Sequence, residues 1–252
     1  MLNCKNIWLL FLPVLFVLKN NKVEAQVTGT IKVTFKNVVG NQPLVLDSGV
    51  YTDPFKESYS LSKFKYYISN VKAVASAKNM AAEKNSYHLI DQSKPVSTTF
   101  SFPAKPGRYN TLSFMIGVDS LHNVSGAQTG ALDVINAMFW TWNSGYIMMK
   151  LEGTSPSSNQ VNNKIEYHIG GYSGPNSAIR KLDLGAPTGQ EIVVTADKTI
   201  EIIIEADIAK WWQVPNDIII AEEPACMTPG ILSKKVADNY SKIFSIKQIL
   251  QH

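Results

Sequence analysis

Few side chains in this sequence are good donors to a metal ion, and they are thinly spread. The chain holds four histidines and two cysteines in 252 residues. Before the terminal His252, the imidazoles are His88, His122 and His168. Imidazole serves several borderline transition metals, whereas thioether and thiolate favour softer ions. The spacing from His122 to His168 matches no local metal signature, and an isolated histidine is ordinarily a hydrogen-bonded surface or core residue. His88, in SYHLIDQS, falls in a strand-like run and reads as structural. Met148 and Met149 are adjacent in a strand pattern and point to opposite faces unless a bulge intervenes, so core filling is the expected role of such thioethers.

The densest aromatic stretch is MFWTWNSGY, residues 138–146, with Phe139, Trp140, Trp142 and Tyr146 beside turn-forming residues. If residues 138–142 are extended, Met138, Trp140 and Trp142 share one face, and Phe139 and Thr141 take the other. Spacing alone reads as an aromatic core ladder. Two functional alternatives stand beside it: a sugar-stacking platform, and an oxidisable or electron-transferring tryptophan site. Hydrolase chemistry finds no support, because the sequence has no Gly-x-Ser-x-Gly elbow and no carboxylate pair in a motif that would fix acid and base roles.

The elements that must position these groups begin after residue 25. Residues 1–25 run from Lys5 through an apolar stretch, Ile7 to Leu18, to Val23-Glu24-Ala25, the pattern of a secretory signal peptide. The apolar run is short of the roughly 20 residues a membrane span needs, and no later stretch approaches that length. A periplasmic or secreted chain without a transmembrane segment is expected. Cys4 precedes the apolar run, which argues against a lipid-attachment cysteine. Removing the leader takes the formal charge from +4 to +2 and leaves Cys226 as the single cysteine. Nothing in that charge suggests nucleic acid. Cys226 reads as a buried thiol, with ligation the weaker alternative, because an unpaired exported thiol oxidises unless buried or bound.

Strand signals dominate the rest, which lacks repeats and long linkers and is expected to form one domain over residues 26–252. Gly29 to Phe35 alternates apolar and polar residues, as does KFKYYIS at 63–69. Leu112–Ile116, Tyr146–Leu151, Glu191–Ala196 and Ile200–Ala206 add four strand candidates. Pro106-Gly107, Asn143-Ser144-Gly145, Gly170-Gly171 and Ala196-Asp197-Lys198 read as turns. Many strands without interposed helices predict an antiparallel β-sandwich, immunoglobulin-like or related. A long loop with helical turns, Ser120 to Ala137, leads into the aromatic block. Near the end, Thr228 as cap, Pro229 at the first position and Leu232, Val236, Tyr240 and Phe244 on one face predict a C-terminal helix. A shorter helical segment is expected over Asp207 to Trp212 with Asp207 capping, which puts Trp211 and Trp212 near a sheet edge.

The run GVDSLHNVSGAQTGALDVINAMFWTWNSGYIMMKLEG, residues 117–153, resembles the central motif of the MbnP-like family of exported copper-binding proteins. There a Gly-Val pair opens a loop with a histidine–asparagine pair, which leads into Met-Phe-Trp-x-Trp and ends in Gly-Tyr. EYHIGGYSGP, residues 166–175, is similar to the family's later strand, and VADNYSKIFSI to the ending of one subgroup. In LHN the histidine precedes the asparagine, where many relatives have the reverse order.

The resemblance implies copper as the bound ion, with His122 and His168 carried over as ligands. It also implies oxidation of a tryptophan to kynurenine by a partner diheme enzyme related to cytochrome c peroxidases and to MauG. Indole offers a metal almost nothing, whereas opening its five-membered ring exposes an aryl amine and a ketone. The match supports the pair Trp140 and Trp142 and does not select one of them. With no catalytic constellation, the chain reads as a binder or a maturation substrate, not an enzyme. The reading from a different class is a glycan or surface-interaction module that uses Trp140, Trp142 and Tyr146 as a platform.

Overall fold

The structure, a computed structural model, describes residues 27–252 except 127, 141, 143 and 144. The expected leader over residues 1–25, with Cys4, lies outside the described residues, as do Thr141 and the turn positions Asn143 and Ser144. The main elements in chain order are β1 (Gly29–Val39), β2 (Ser58–Ser76), β3 (Tyr87–Asp91), β4 (Thr99–Ala104), β5 (Thr111–Ile116), α1 (Ser120–Val124), β6 (Phe139–Trp140), β7 (Gly145–Thr154), β8 (Lys164–Gly170), β9 (Arg180–Gly185), β10 (Thr199–Asp207), β11 (Ala225–Cys226), α2 (Ile231–Tyr240) and β12 (Phe244–Gln251).

They form a mainly β sandwich. One sheet runs β12-β10-β1, with β4 on the far side of β1; the other runs β9-β5-β2-β7-β8-β11, with β3 and β6 paired to β2 and β7. The alternation in β1 buries Ile31, Val33 and Phe35, opposite Ile200, Ile202 and Ile204 of β10. Phe35 and Phe244 from the first sheet meet Tyr66 and Phe114 from the second edge-to-face, with ring centroids from 5.4 to 6.1 Å apart. Each such side chain contributes roughly 1.5–3 kcal/mol by leaving water, so this inter-sheet cluster holds the layers together.

The pairing departs from the antiparallel expectation at two places, the short β8–β11 pair, Glu166 beside Ala225 and Tyr167 beside Cys226, and a long one in the first sheet. β1 and β10 run parallel, Thr30 beside Thr199 through Val38 beside Asp207. Alternation fixes which face of a strand is buried but not the direction of its neighbour. The expected C-terminal helix is present but shorter. Gly230, not Thr228, holds the cap position, the helix ends at Tyr240, and Phe244 opens β12. An apolar residue one helical repeat further on satisfies a strand's inward position equally well, so the period could not mark the end. The Asp207 segment is a short 3-10 turn, Ile208–Trp211, whose Ala209 N–H donates to the Asp207 carboxylate at 3.1 Å. Trp211 and Trp212 are fully buried against Tyr167, and Trp212 also packs on Tyr59.

One buried acid makes the fold sensitive to pH. Asp53 accepts from the Phe55 and Glu57 N–H groups through Oδ1, while Oδ2 is buried without a partner among the described residues. Burial, with the Glu57 carboxylate beside it, pushes the Asp53 carboxyl up to about 6. The native state therefore holds a proton that the unfolded chain releases near pH 4. The stability tied to that proton is complete below about pH 4 and lost as pH rises through about 6. Asp53→Asn keeps the accepting oxygen and removes the ionisation. We expect it to be near neutral at about pH 4 and stabilising by roughly 1–3 kcal/mol at about pH 7.5, measured by urea unfolding. Equal effects at both pH values would contradict this.

Candidate metal centre

The strand β8 builds one half of the candidate site. Ile165, Tyr167 and Ile169 are buried in the sandwich, so His168 and Gly170 take the opposite face. Gly170 is part of the strand, and only Gly171 turns, with φ of +114°. The expected Gly170-Gly171 turn thus begins one residue late. The missing side chain matters, because a Cβ on Gly170 would lie 2.3 Å from Cζ3 and 2.6 Å from Cη2 of Trp140. The benzene edge of Trp140 rests on the bare strand there. His168 is the next residue on that face, about 7 Å along the strand by the rise of two residues.

Trp140 reaches this position because β6 pairs with the start of β7, Phe139 beside Tyr146 and Trp140 beside Gly145. Its indole is 5% exposed, whereas that of Trp142 is 63% exposed, and the ring centroids lie 5.5 Å apart at 41°. The pair leads from the surface to the strand face. A cavity of about 230 Å³ opens beside it, lined by Trp140, Gly145, Gly171, Tyr172, Ser173 and Pro229. Tyr146 is buried, its hydroxyl donating to the Leu132 carbonyl at 2.6 Å. Of the three rings that a stacking platform would need, only Trp142 presents a face to solvent.

Each candidate imidazole has one ring nitrogen engaged and the other without a hydrogen bond among the described residues. His168 Nε2 lies 2.8 Å from Glu152 Oε1. The hydrogen bond from His168, joined by Lys63 at 2.5 Å and opposed by burial, holds the Glu152 carboxyl down to about 2. Since a carboxylate only accepts, Nε2 is the donor in this pair, and in the neutral ring Nδ1 is the nitrogen with the lone pair. In α1, Asp119 caps the helix by accepting from the His122 N–H at 3.0 Å and lies 3.0 Å from His122 Nδ1. The Tyr87 hydroxyl is 2.7 Å from the same Nδ1 and donates to Asp119. Against the desolvation that burial imposes, the bonds from Tyr87 and His122 hold the Asp119 carboxyl down to about 2. In the neutral ring His122 Nε2 is thereby the lone-pair nitrogen. A carboxylate on one imidazole nitrogen is how metal-ligating histidines are oriented.

The two imidazoles lie in separate surroundings. His122 lines a cavity of about 400 Å³ with Asn85, Tyr87, Gln128 and Thr129, and shares no hydrogen-bond partner with His168. Its neighbour Asn123 faces the aromatic block, accepting from the Tyr146 N–H at 2.8 Å. Ser120 at the start of α1 donates to the Tyr172 carbonyl at 3.0 Å. No set of three or more His, Cys, Asp or Glu converges among the described residues.

The other sulfur and nitrogen candidates are accounted for structurally. A β-bulge falls between Ile147 and Met149, and Met148 and Met149 are both buried, with Met148 Sδ accepting from the Val118 N–H at 3.2 Å. Cys226 sits in β11 beside Tyr167, a residue on the face opposite His168, and burial pushes its thiol up to about 11. A thiol so placed is a poor source of thiolate. His88 stacks on Phe100 at 3.6 Å and pairs with Glu83.

A family model described as MbnP matches residues 28–228. The chain belongs to the MbnP family. A solved structure of MbnP from Methylosinus trichosporium is similar in fold, with a TM-score of 0.51 at 14% identity, over 81% of this chain and 83% of that one. No curated protein matches. For a copper ion in this MbnP-family chain, the donors fit in kind: two oriented imidazoles, each with an available lone pair. Reading residue types alone missed the groups that orient them. Asp119 is legible in hindsight as a helix cap three residues before His122, and Lys150 and Glu152 as charges at alternate positions of an otherwise apolar strand.

Proposed function

We propose that this MbnP-family chain is an exported copper-binding protein and not an enzyme, with His168 and His122 as imidazole ligands. Before use, one tryptophan of the Trp140/Trp142 pair is oxidised to kynurenine by a partner diheme enzyme of the cytochrome c peroxidase and MauG type. The observation that carries this reading is the seat of Trp140 on Gly170, next to His168 on the same strand face, with Trp142 against it at the surface. The unmodified chain holds two prepared imidazoles but no closed ligand sphere. Ring opening of Trp140 adds an aryl amine and a ketone beside the His168 face, and copper accepts nitrogen and oxygen donors of this kind. Trp142 gives an oxidising partner a surface ring in contact with the buried one. No helix among the described residues is long and apolar enough to cross a membrane.

The reading is tested by expressing Trp140→Phe and Trp142→Phe beside the wild type in the native host and mapping peptide masses. We expect Trp140→Phe to lose the oxidised product and the copper together, while Trp142→Phe lowers the extent of oxidation at Trp140. Identical behaviour of the two variants would sink the assignment of a modified ring and favour packing.

A further inference from the structure

Lys150 is a buried cation directly opposite His168 in the β7–β8 register, and the proposed copper chemistry does not use it. Its ammonium donates to the Ala137 carbonyl at 2.6 Å and stands 3.8 Å from Glu152 Oε1, the oxygen that accepts from His168. Ala137 immediately precedes the aromatic block and adopts the left-handed conformation, φ 56° and ψ 38°. That conformation is unfavourable for a residue with a Cβ, and a charge-assisted hydrogen bond to its carbonyl offsets the cost. Glu152 is thus the junction of three groups: the imidazole, Lys63 and the lysine that grips the chain leading to Trp140.

We infer that Glu152 and Lys150 are the positioning residues of this site, Glu152 fixing His168 with Nδ1 as its donor nitrogen and Lys150 pinning Ala137 so that Trp140 lies on Gly170. The inference rests on the copper reading for its purpose but on the metal-free chain for its geometry. Placing a lysine and a carboxylate inside an apolar strand is costly unless both are paired. Here each is satisfied by a group belonging to the proposed site. Lys65, on the neighbouring strand, is held by Asp91 at 3.0 Å, which leaves Glu152 to Lys63, Lys150 and His168.

The test begins with metal-free, full-length protein labelled at the histidine ring nitrogens and measured by NMR at about pH 8, where an unperturbed imidazole is neutral. We expect His168 to show a protonated Nε2 and a bare Nδ1. Glu152→Gln should redistribute that proton and weaken copper binding about 10- to 100-fold, the usual cost of losing an outer partner of a ligand. Lys150→Met should leave the His168 tautomer as it is, speed amide exchange across residues 137–140 and shift the Trp140 indole signal, with Lys150→Arg restoring both. A bare Nε2 in the metal-free wild type, in a chain that nonetheless binds copper when it is added, would overturn the role given to Glu152 alone. Unchanged exchange in Lys150→Met would overturn that of Lys150. The expected tautomer in a chain that binds no copper would instead overturn the copper reading itself.

Discussion

Replacing His168 with alanine is expected to lower copper affinity by at least about 100-fold, since loss of an outer partner of a ligand alone costs 10- to 100-fold. The sandwich should survive, because His168 faces away from the inter-sheet core that Ile165, Tyr167 and Ile169 fill. The substitution strands Glu152, but Lys63 and Lys150 remain to compensate that carboxylate. Copper titration by a competing chelator, with unfolding in urea as the control for the fold, measures both parts. His122→Ala should weaken binding as well, with a smaller change in the Trp140 environment, because its ring is held by Asp119 and Tyr87 away from the β8 face. Retained wild-type affinity in His168→Ala would remove that residue from the site.

Gly170→Ala carries the second large effect, from a single methyl group. Its Cβ would lie 2.3 Å from the Trp140 ring and 3.1 Å from the Tyr146 carbonyl oxygen, which belongs to the paired strand β7. The backbone there is pinned by the Ser233 hydroxyl, which donates to the Gly170 carbonyl at 2.7 Å. Overpacking of this kind costs about 1–3 kcal/mol, and the indole is the group that must leave. We therefore expect a destabilised chain with altered Trp140 fluorescence, no oxidised tryptophan and weakened copper binding. A double-mutant cycle with Trp140→Ala separates collision from other strain. The two changes should couple by more than about 1 kcal/mol, because the smaller side chain makes room for the methyl. Additive effects would show that Trp140 does not rest on Gly170.

The strands were legible because burial writes itself into alternation. β1 and β10 were read from Ile31, Val33 and Phe35 and from the isoleucines after Ile200, and each proved longer than its pattern by a few residues. The parallel pairing of β1 with β10 was not legible, since it joins segments separated by most of the second sheet and leaves no local mark. Phe244 misled because one apolar position fits the continuation of a helix and the start of a strand alike. In the site, the block around Trp140 and Trp142 stood out by composition, yet their unlike exposures depend on how β6 pairs with β7. Gly170 looked like half of a turn, and only the packing of Trp140 onto it reveals why the strand carries no side chain there. The partners of the two histidines come from a different strand in one case and from a cap residue plus β3 in the other, combinations that spacing does not encode.

As proposed, this chain matures into a copper protein by oxidation of a tryptophan in the 138–146 block. The decisive sample is protein recovered from the export compartment of its native host, studied by intact mass, peptide mapping and copper analysis of one preparation. We expect stoichiometric copper together with one tryptophan that has gained an oxygen and lost a carbon, mapped to Trp140. Two unaltered indoles in a chain that carries no copper would contradict it.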